Sequence, residues 1–240
     1  MKKLAAIIRY ECTTSFKYIW IFYAILFGVV LLLGVITGIG SGHFSKTYTN
    51  YLELNTLIYV GILGVMGFQE DFKMLLQNGF TRKYIFIASL IMFAFISGTM
   101  ALVDTVFAHL LHTFTENYTS LYGNLYGYGN YVMNWLWLTL LYTSTCTLLY
   151  LGVLLINRYG KRFCICLYAL LGSLILIIIA LFRFVFSQEI VHNTLQVITK
   201  AAGFMADGTI NHMNPLLTLC SIVLLLSATS FLVIRRTELR

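Results

Sequence analysis

The 240-residue sequence holds a single proline, Pro215, and only 10% of its residues carry a formal charge. One proline leaves no Pro-rich linker or tail. A soluble domain carries about 25% charged residues, so a water-soluble globule is excluded. No G-x-x-x-x-G-K-[ST] occurs: Gly160-Lys161-Arg162 lacks both the first glycine and the Ser/Thr, so the chain has no P-loop for ATP. No H-E-x-x-H is present among the five histidines, which removes that class of zinc protease. The run Gly38-Ile39-Gly40-Ser41-Gly42 does not fit the G-x-S-x-G of a serine nucleophile and reads as a flexible exit from an apolar run. Of the five cysteines, Cys164 and Cys166 form a C-x-C without the second ligand pair that a zinc site needs. Lipidation and plain packing are the other readings of that pair. The composition thus expects no catalytic constellation, no metal and no cofactor held by this chain itself.

What the sequence has in abundance is apolar residues, 59% of the total. A helix needs about 20 apolar residues to cross a bilayer. Six stretches are candidates: residues 18–40, 52–68, 85–110, 132–156, 163–182 and 215–234. The second is marginal in length and starts beside Glu53. Backbone polar groups find no water partner in lipid, so each must be helical. The expected fold is therefore an all-α polytopic membrane protein, with residues 1–17 as a separate cytoplasmic segment and 18–240 as one six-helix domain.

The formal net charge of +7 reads as a topology signal. With the N-terminus inside, the inner flanks hold Lys2, Lys3, Arg9, Lys17, Lys73, Arg82, Lys83, Arg158, Lys161, Arg162, Arg235, Arg236 and Arg240, which is thirteen of the sixteen basic residues. Lys46, Arg183 and Lys200 fall outside. An excess of Lys and Arg on cytoplasmic loops fixes orientation, so both termini are expected in the cytoplasm. No basic patch stands apart from helix ends, so nucleic acid is not expected as a partner. Membrane lipid is.

Asp104 is the one acid well inside a predicted span, which makes it a candidate functional residue. It follows Ile85 by 19 positions, or about 28 Å of helix rise, which places it towards the outer interface. An ion pair with Arg183 at the outer end of the fifth span is one expectation. A proton relay with His112, eight residues on and on the same face, is the other. The relay corresponds to an alternative function, a stand-alone proton-coupled carrier or channel.

The inner segments carry the most pattern. In residues 1–17, Leu4, Ile7, Ile8 and Cys12 recur at helical spacing while Lys2, Lys3, Arg9 and Glu11 are polar. This predicts a short amphipathic helix on the cytoplasmic interface, or a charged lead-in to the first span. Between spans two and three, Glu70 and Asp71 sit where a helix N-terminus favours acids. Phe72, Leu75, Leu76 and Gly79 follow at i, i+3, i+4 and i+7. Asn78-Gly79 supplies a stop, with Gly79 suited to the left-handed position after a helix. An amphipathic helix over 70–78 offers an apolar ridge either to the membrane surface or to a partner's groove.

An amphipathic basic N-terminus, six spans, an acid-led loop ending in QNGFTRKYIF and a short NRYGKR loop resemble the permease subunits of bacterial ABC-2 type transporters. The resemblance covers the whole chain, chiefly as architecture, and is most specific over residues 70–86. It implies a membrane-spanning export subunit of the cell membrane, itself not an enzyme, that forms a dimer with an identical or homologous permease. Two copies of a separate cytoplasmic ABC ATPase would hold ATP and Mg2+. By the resemblance, Glu70, Asp71, Phe72, Leu75, Leu76, Asn78, Gly79 and Arg82 belong to the ATPase contact, the 70–78 segment being a coupling helix. Leu4, Ile7, Ile8 and Arg9 belong to a connecting helix, and residues 183–214 resemble the outer re-entrant helices of the family.

Small residues let helices approach closely in lipid. Gly34, Gly38 and Gly42 form overlapping G-x-x-x-G pairs near the outer end of the first span, and Gly61, Gly64 and Gly67 punctuate the second. Packing within one subunit and a dimer contact are both open. Loop 111–131 holds Tyr118, Tyr122, Tyr126, Tyr128 and Tyr131 without Lys or Arg, which predicts an interfacial aromatic belt or an exit lining.

Overall fold

The computed structural model describes residues 2–41, 50–69, 75–114, 118–205 and 207–235. Eight helices are named among them: α1 Lys2–Ser41, α2 Glu53–Gln69, α3 Arg82–Phe114, α4 Leu121–Tyr126, α5 Tyr131–Tyr159, α6 Lys161–Phe184, α7 Gln188–Ala201 and α8 Met213–Arg235. The described residues form no strand beyond an isolated bridge between Phe204 and Ile210. Five helices (α1, α3, α5, α6 and α8) are long and apolar enough to cross a membrane. The chain is an all-helical membrane protein in that sense. α2 is shorter, at 17 residues. Its length of about 26 Å falls just under the ~30 Å hydrocarbon thickness.

The helix at the N-terminus differs from expectation. It runs without interruption from Lys2 to Ser41, through the junction where a separate interfacial helix would end. No glycine or proline lies between residues 2 and 27 to break it. Forty residues make about 60 Å of helix, twice the hydrocarbon thickness, so its first turns extend beyond the slab. Ile8 is half-buried and Arg9 exposed; the side chains of Leu4 and Ile7 lie outside the described residues.

The bundle is built inside out. On α2 the buried stripe is Glu53, Thr56, Val60 and Gly64, while Leu54, Ile58, Ile62 and Met66 face outward. On α3, Ser89, Ser97, Asp104 and Thr105 point inward and Ile91, Leu102 and Val106 outward. Lipid tails are as apolar as leucine, so burial of apolar groups gives no drive to pack helices there; close packing and internal polar contacts take over. α5 is the central helix, packed against α2, α3, α4, α6 and α8. Its buried residues Trp137, Tyr142, Cys146, Tyr150 and Leu154 line its inner face. The hydroxyls of Thr139, Thr143 and Thr147 each donate to the carbonyl four residues earlier, which satisfies them without water. α6 by contrast buries only Cys164, and its apolar surface suits lipid.

Glycines on α2 set the α2–α5 approach. A Cβ added to Gly64 would lie 2.6 Å from the Cys146 carbonyl oxygen, and one on Gly61 2.7 Å from Leu149 Cδ1. The Cys146 thiol donates to the Val60 carbonyl across this contact at 3.2 Å. Gly61 and Gly64 therefore serve packing within the subunit. The surroundings of Gly34, Gly38 and Gly67, and all of Gly42, lie outside the described residues.

Candidate functional site

Two polar assemblies and the segment between α2 and α3 are the places where this fold concentrates chemistry. The first lies between α1, α2, α3 and α5. Asp104 is 5% exposed. The Tyr142 hydroxyl donates to its Oδ2 at 2.6 Å and the Tyr23 hydroxyl to its Oδ1 at 2.8 Å. Tyr23 also lies 3.0 Å from the Met100 carbonyl, and Tyr142 lies 3.5 Å from that of Glu53. Each carboxylate oxygen thus has a phenol from a different helix.

Glu53 completes the assembly. Its position follows from an unusual start to α2: Tyr51 has φ 56°, a left-handed conformation that a bulky residue rarely adopts. The Tyr51 N–H donates to the Thr119 carbonyl at 3.0 Å, and the Asn124 amide donates to the Tyr51 hydroxyl at 3.1 Å. So held, the first turn of α2 points Glu53 into the bundle at 1% exposure. Neither carboxylate oxygen has a hydrogen-bond partner in good geometry; the backbone N–H groups of Glu53 and Leu121 are the nearest donors. Asp104 lies within electrostatic reach. Thr56, fully buried one turn on, places its hydroxyl beside Asp104 and Tyr23, again without a well-formed bond. Tyr118, 6% exposed, lies within electrostatic reach of both acids.

The expected pairing of Asp104 with Arg183 is not formed. The carboxylate is engaged by Tyr23 and Tyr142, whereas Arg183 is exposed near the end of α6 with its guanidinium over the Phe184 ring at 5.6 Å. α6 packs on α5 alone among its well-formed helix contacts. His112 does not meet Asp104 either. It stacks on Tyr128 at 3.6 Å and its Nδ1 lies 3.3 Å from the Tyr118 carbonyl. The link from His112 to the acids runs through Tyr118.

The second assembly is aromatic and belongs to α4 and the chain between α7 and α8. α4 is capped by Ser120, whose side chain accepts from the Gly123 N–H at 2.9 Å. Tyr122 and Tyr126 on this helix are buried against Trp137, with ring centroids 5.8 and 6.0 Å away. Tyr126 donates to the Ala202 carbonyl at 2.8 Å, and the Tyr122 hydroxyl lies 2.9 Å from His212 Nδ1. Burial pushes the Tyr122 phenol up to about 12, so it stays neutral. Tyr118, Tyr122 and Tyr126 are thus not the exposed interfacial belt expected of this loop. Tyr122 and Tyr126 clamp α4 to the chain between α7 and α8 because each phenol finds an internal partner there, as buried tyrosines generally do. α7 itself buries no residue.

The segment between α2 and α3 is described from residue 75. Glu70, Asp71 and Phe72 lie outside the described residues. Residues 75–77 are the last turn of a helix. It ends with the Phe80 N–H on the Leu75 carbonyl and the Gly79 N–H on the Leu76 carbonyl, both at 3.1 Å, with Gly79 at φ 77°. This is the Schellman stop, with Gly in the left-handed position. Leu75 is 5% exposed and belongs to the main core; Leu76 and Phe80 pack on its edge. The Leu75 side chain, expected at the ATPase contact, therefore turns into the bundle. Gln77, Asn78 and Gly79 are exposed. The Arg82 guanidinium donates to the Arg235 carbonyl at 3.1 Å, which ties the start of α3 to the end of α8.

Cys164 is buried and Cys166 exposed, so the C-x-C does not converge on one point. Among the described residues no group of three His, Cys, Asp or Glu is placed to hold a metal ion. An apolar groove of about 700 Å³ runs between α1 and α2, lined by residues such as Ile25, Val29 and Ile58, with Asn50 and Asn55 among its few polar groups. Glu53 was the site residue that sequence reading passed over. The signal was the stripe Glu53, Thr56, Val60, Gly64 at helical spacing, which puts the polar residues of a short apolar helix on the side opposite its large aliphatic ones. No family model, curated protein or solved structure matches the chain.

Proposed function

We propose that the chain is the membrane-spanning subunit of an ATP-driven exporter, coupled to a separate cytoplasmic ATPase through the segment between α2 and α3. In this reading α2 is the sixth crossing, both termini are cytoplasmic, and two permeases and two ATPases assemble in a bacterial cytoplasmic membrane. ATP and Mg2+ reside in the partner.

The observation that carries the reading is the seating of residues 75–82. A connection between two spans needs only a few residues. This one ends in a capped helical turn, sinks Leu75 into the core and is braced by Arg82 on the last turn of α8. Force applied to its exposed edge at Gln77 and Gly79 would pass directly into α3 and α8. A two-state transporter driven by nucleotide requires a rigid element of this kind. The apolar groove between α1 and α2 suits an apolar or lipid-like cargo.

The test is to place a photo-crosslinking residue at position 77 (Gln77→p-benzoylphenylalanine) in cell membranes. The expected product is a conjugate with a soluble P-loop ATPase, and the purified complex hydrolyses ATP with Mg2+. A chain that transports when purified alone, or a reporter that locates residue 77 on the extracytoplasmic face, overturns the proposal.

A further inference from the structure

We infer that Glu53, Thr56 and Asp104 bind an alkali-metal cation, such as Na+, within the helix bundle. The inference is independent of coupling to an ATPase, since it rests on the other end of α2.

Three features carry it. First, the assembly holds two acids within electrostatic reach of each other, one on α2 and one on α3, and among the described residues no lysine, arginine or histidine engages either carboxylate. A buried charge is retained only when paired or when it coordinates an ion. Second, Asp104 has a phenol donor on each oxygen, while both oxygens of Glu53 and the Thr56 hydroxyl are buried without a well-formed hydrogen bond. The part left without a donor is thus one carboxylate and one hydroxyl, both presenting oxygen. Third, the surrounding acceptors are also oxygen: the Glu53 carbonyl beside Tyr142 and the Met100 carbonyl beside Tyr23.

Hard cations take oxygen ligands, and softer metals prefer nitrogen or sulfur. Two carboxylates, one already engaged, are too few for the six to eight oxygens that Ca2+ gathers. Mg2+ keeps several waters and needs room for them. Among the described residues no cluster of three acidic, histidine or cysteine side chains favours a divalent ion. A monovalent ion matches the oxygen ligands and the single carboxylate that has no hydrogen-bond donor.

The site also has a structural consequence. Glu53 belongs to α2, Asp104 to α3, and the phenols to α1 and α5. A bound cation would draw these four helices together at their outer ends, opposite the Leu75–Arg82 brace. Ion occupancy would therefore stabilise the outer-closed arrangement of the bundle.

The test uses the full chain in lipid nanodiscs at one pH and one ionic strength, with NaCl or KCl exchanged against N-methyl-D-glucamine chloride. Saturating Na+ or K+ is expected to raise the melting temperature by about 2–4 °C, and radiolabelled 22Na+ to bind at one ion per chain with competition by the preferred ion. Glu53→Gln should abolish both responses. Should that variant fail to fold, Thr56→Val keeps the volume and charge and should weaken apparent affinity about tenfold. Arg183→Gln, on the exposed end of α6, should leave binding unchanged. Absence of saturable alkali-ion binding in the wild-type chain overturns the inference, as does binding that Glu53→Gln, or Thr56→Val in its place, leaves intact.

Discussion

The hydroxyl of Tyr142, on α5, donates to Oδ2 of Asp104, on α3, at 2.6 Å. With Tyr23 on the other oxygen, the carboxylate ties three helices at one point. Hydrogen bonds to charged groups contribute about 1.5–3 kcal/mol, although interhelical bonds in membranes average nearer 1. Tyr142→Phe and Tyr23→Phe are each expected to destabilise the bundle by about 1–2 kcal/mol. The double variant should lose less than the sum once Asp104 has lost both donors and relaxed. Thermal melting of the four proteins in one detergent gives the cycle, and strict additivity would refute the shared-acceptor account.

Gly64 and Gly61 offer a second comparison. A methyl on Gly64 meets backbone, the Cys146 carbonyl oxygen at 2.6 Å and its Cα at 3.0 Å; a methyl on Gly61 meets the end of the Leu149 side chain. Backbone cannot give way, but a leucine can rotate. Gly64→Ala is expected to cost about 1–3 kcal/mol and Gly61→Ala under about 1 kcal/mol. Equal losses in the same melting assay would contradict the close α2–α5 crossing.

At Gly79 the reason is conformational. No atom lies within 4 Å of an added Cβ, yet φ is 77°. Gly79→Ala should therefore cost about 1–2 kcal/mol through backbone strain alone, and Gly79→Asn less. Gly28, in open space on α1 without a positive φ, is the control: Gly28→Ala should be neutral or stabilising by up to about 1 kcal/mol. A ranking with Gly28→Ala as the more damaging change would show that φ does not decide at these positions.

Asp207 gives a pH dependence of known sign. Its carboxylate accepts the Thr209 hydroxyl at 2.7 Å and the Thr209 N–H at 3.1 Å. Those two bonds hold its carboxyl below the ordinary 3.8. The ionised form is thus favoured in the folded turn. The contribution is complete above the ordinary value and disappears as pH falls through the lowered one. Hydrogen exchange at the Thr209 amide, corrected for its intrinsic rate, should lose protection as pH falls below 3.8 and through the lowered value, and stay constant around neutral pH. Asp207→Asn should abolish the change. A flat profile in the wild type would remove the turn's dependence on this carboxylate.

Several features were readable without coordinates because they depend on neighbours in sequence. Apolar length predicted helices at all six stretches, and α3, α5, α6 and α8 overlap the expected spans closely. Gly79 was placed in its left-handed stop from Asn78-Gly79 alone, since only glycine is free of the Cβ penalty there. The end of the N-terminal segment was not readable. Residues 1–17 and the first span are both good helix formers, and whether the axis bends between them depends on what each face meets.

Composition and hydropathy by themselves determined that this chain is helical and apolar enough for a membrane, because backbone hydrogen bonding in lipid admits few alternatives. Only the tertiary structure decided that Asp104 meets Tyr23 and Tyr142 in place of Arg183, that Glu53 joins it, and that Leu75 turns inward. Those outcomes depend on how helices rotate about their axes. Rotation is set by small residues such as Gly64 and by internal polar partners far apart in sequence, and a hydropathy pattern in which both faces are apolar does not record it.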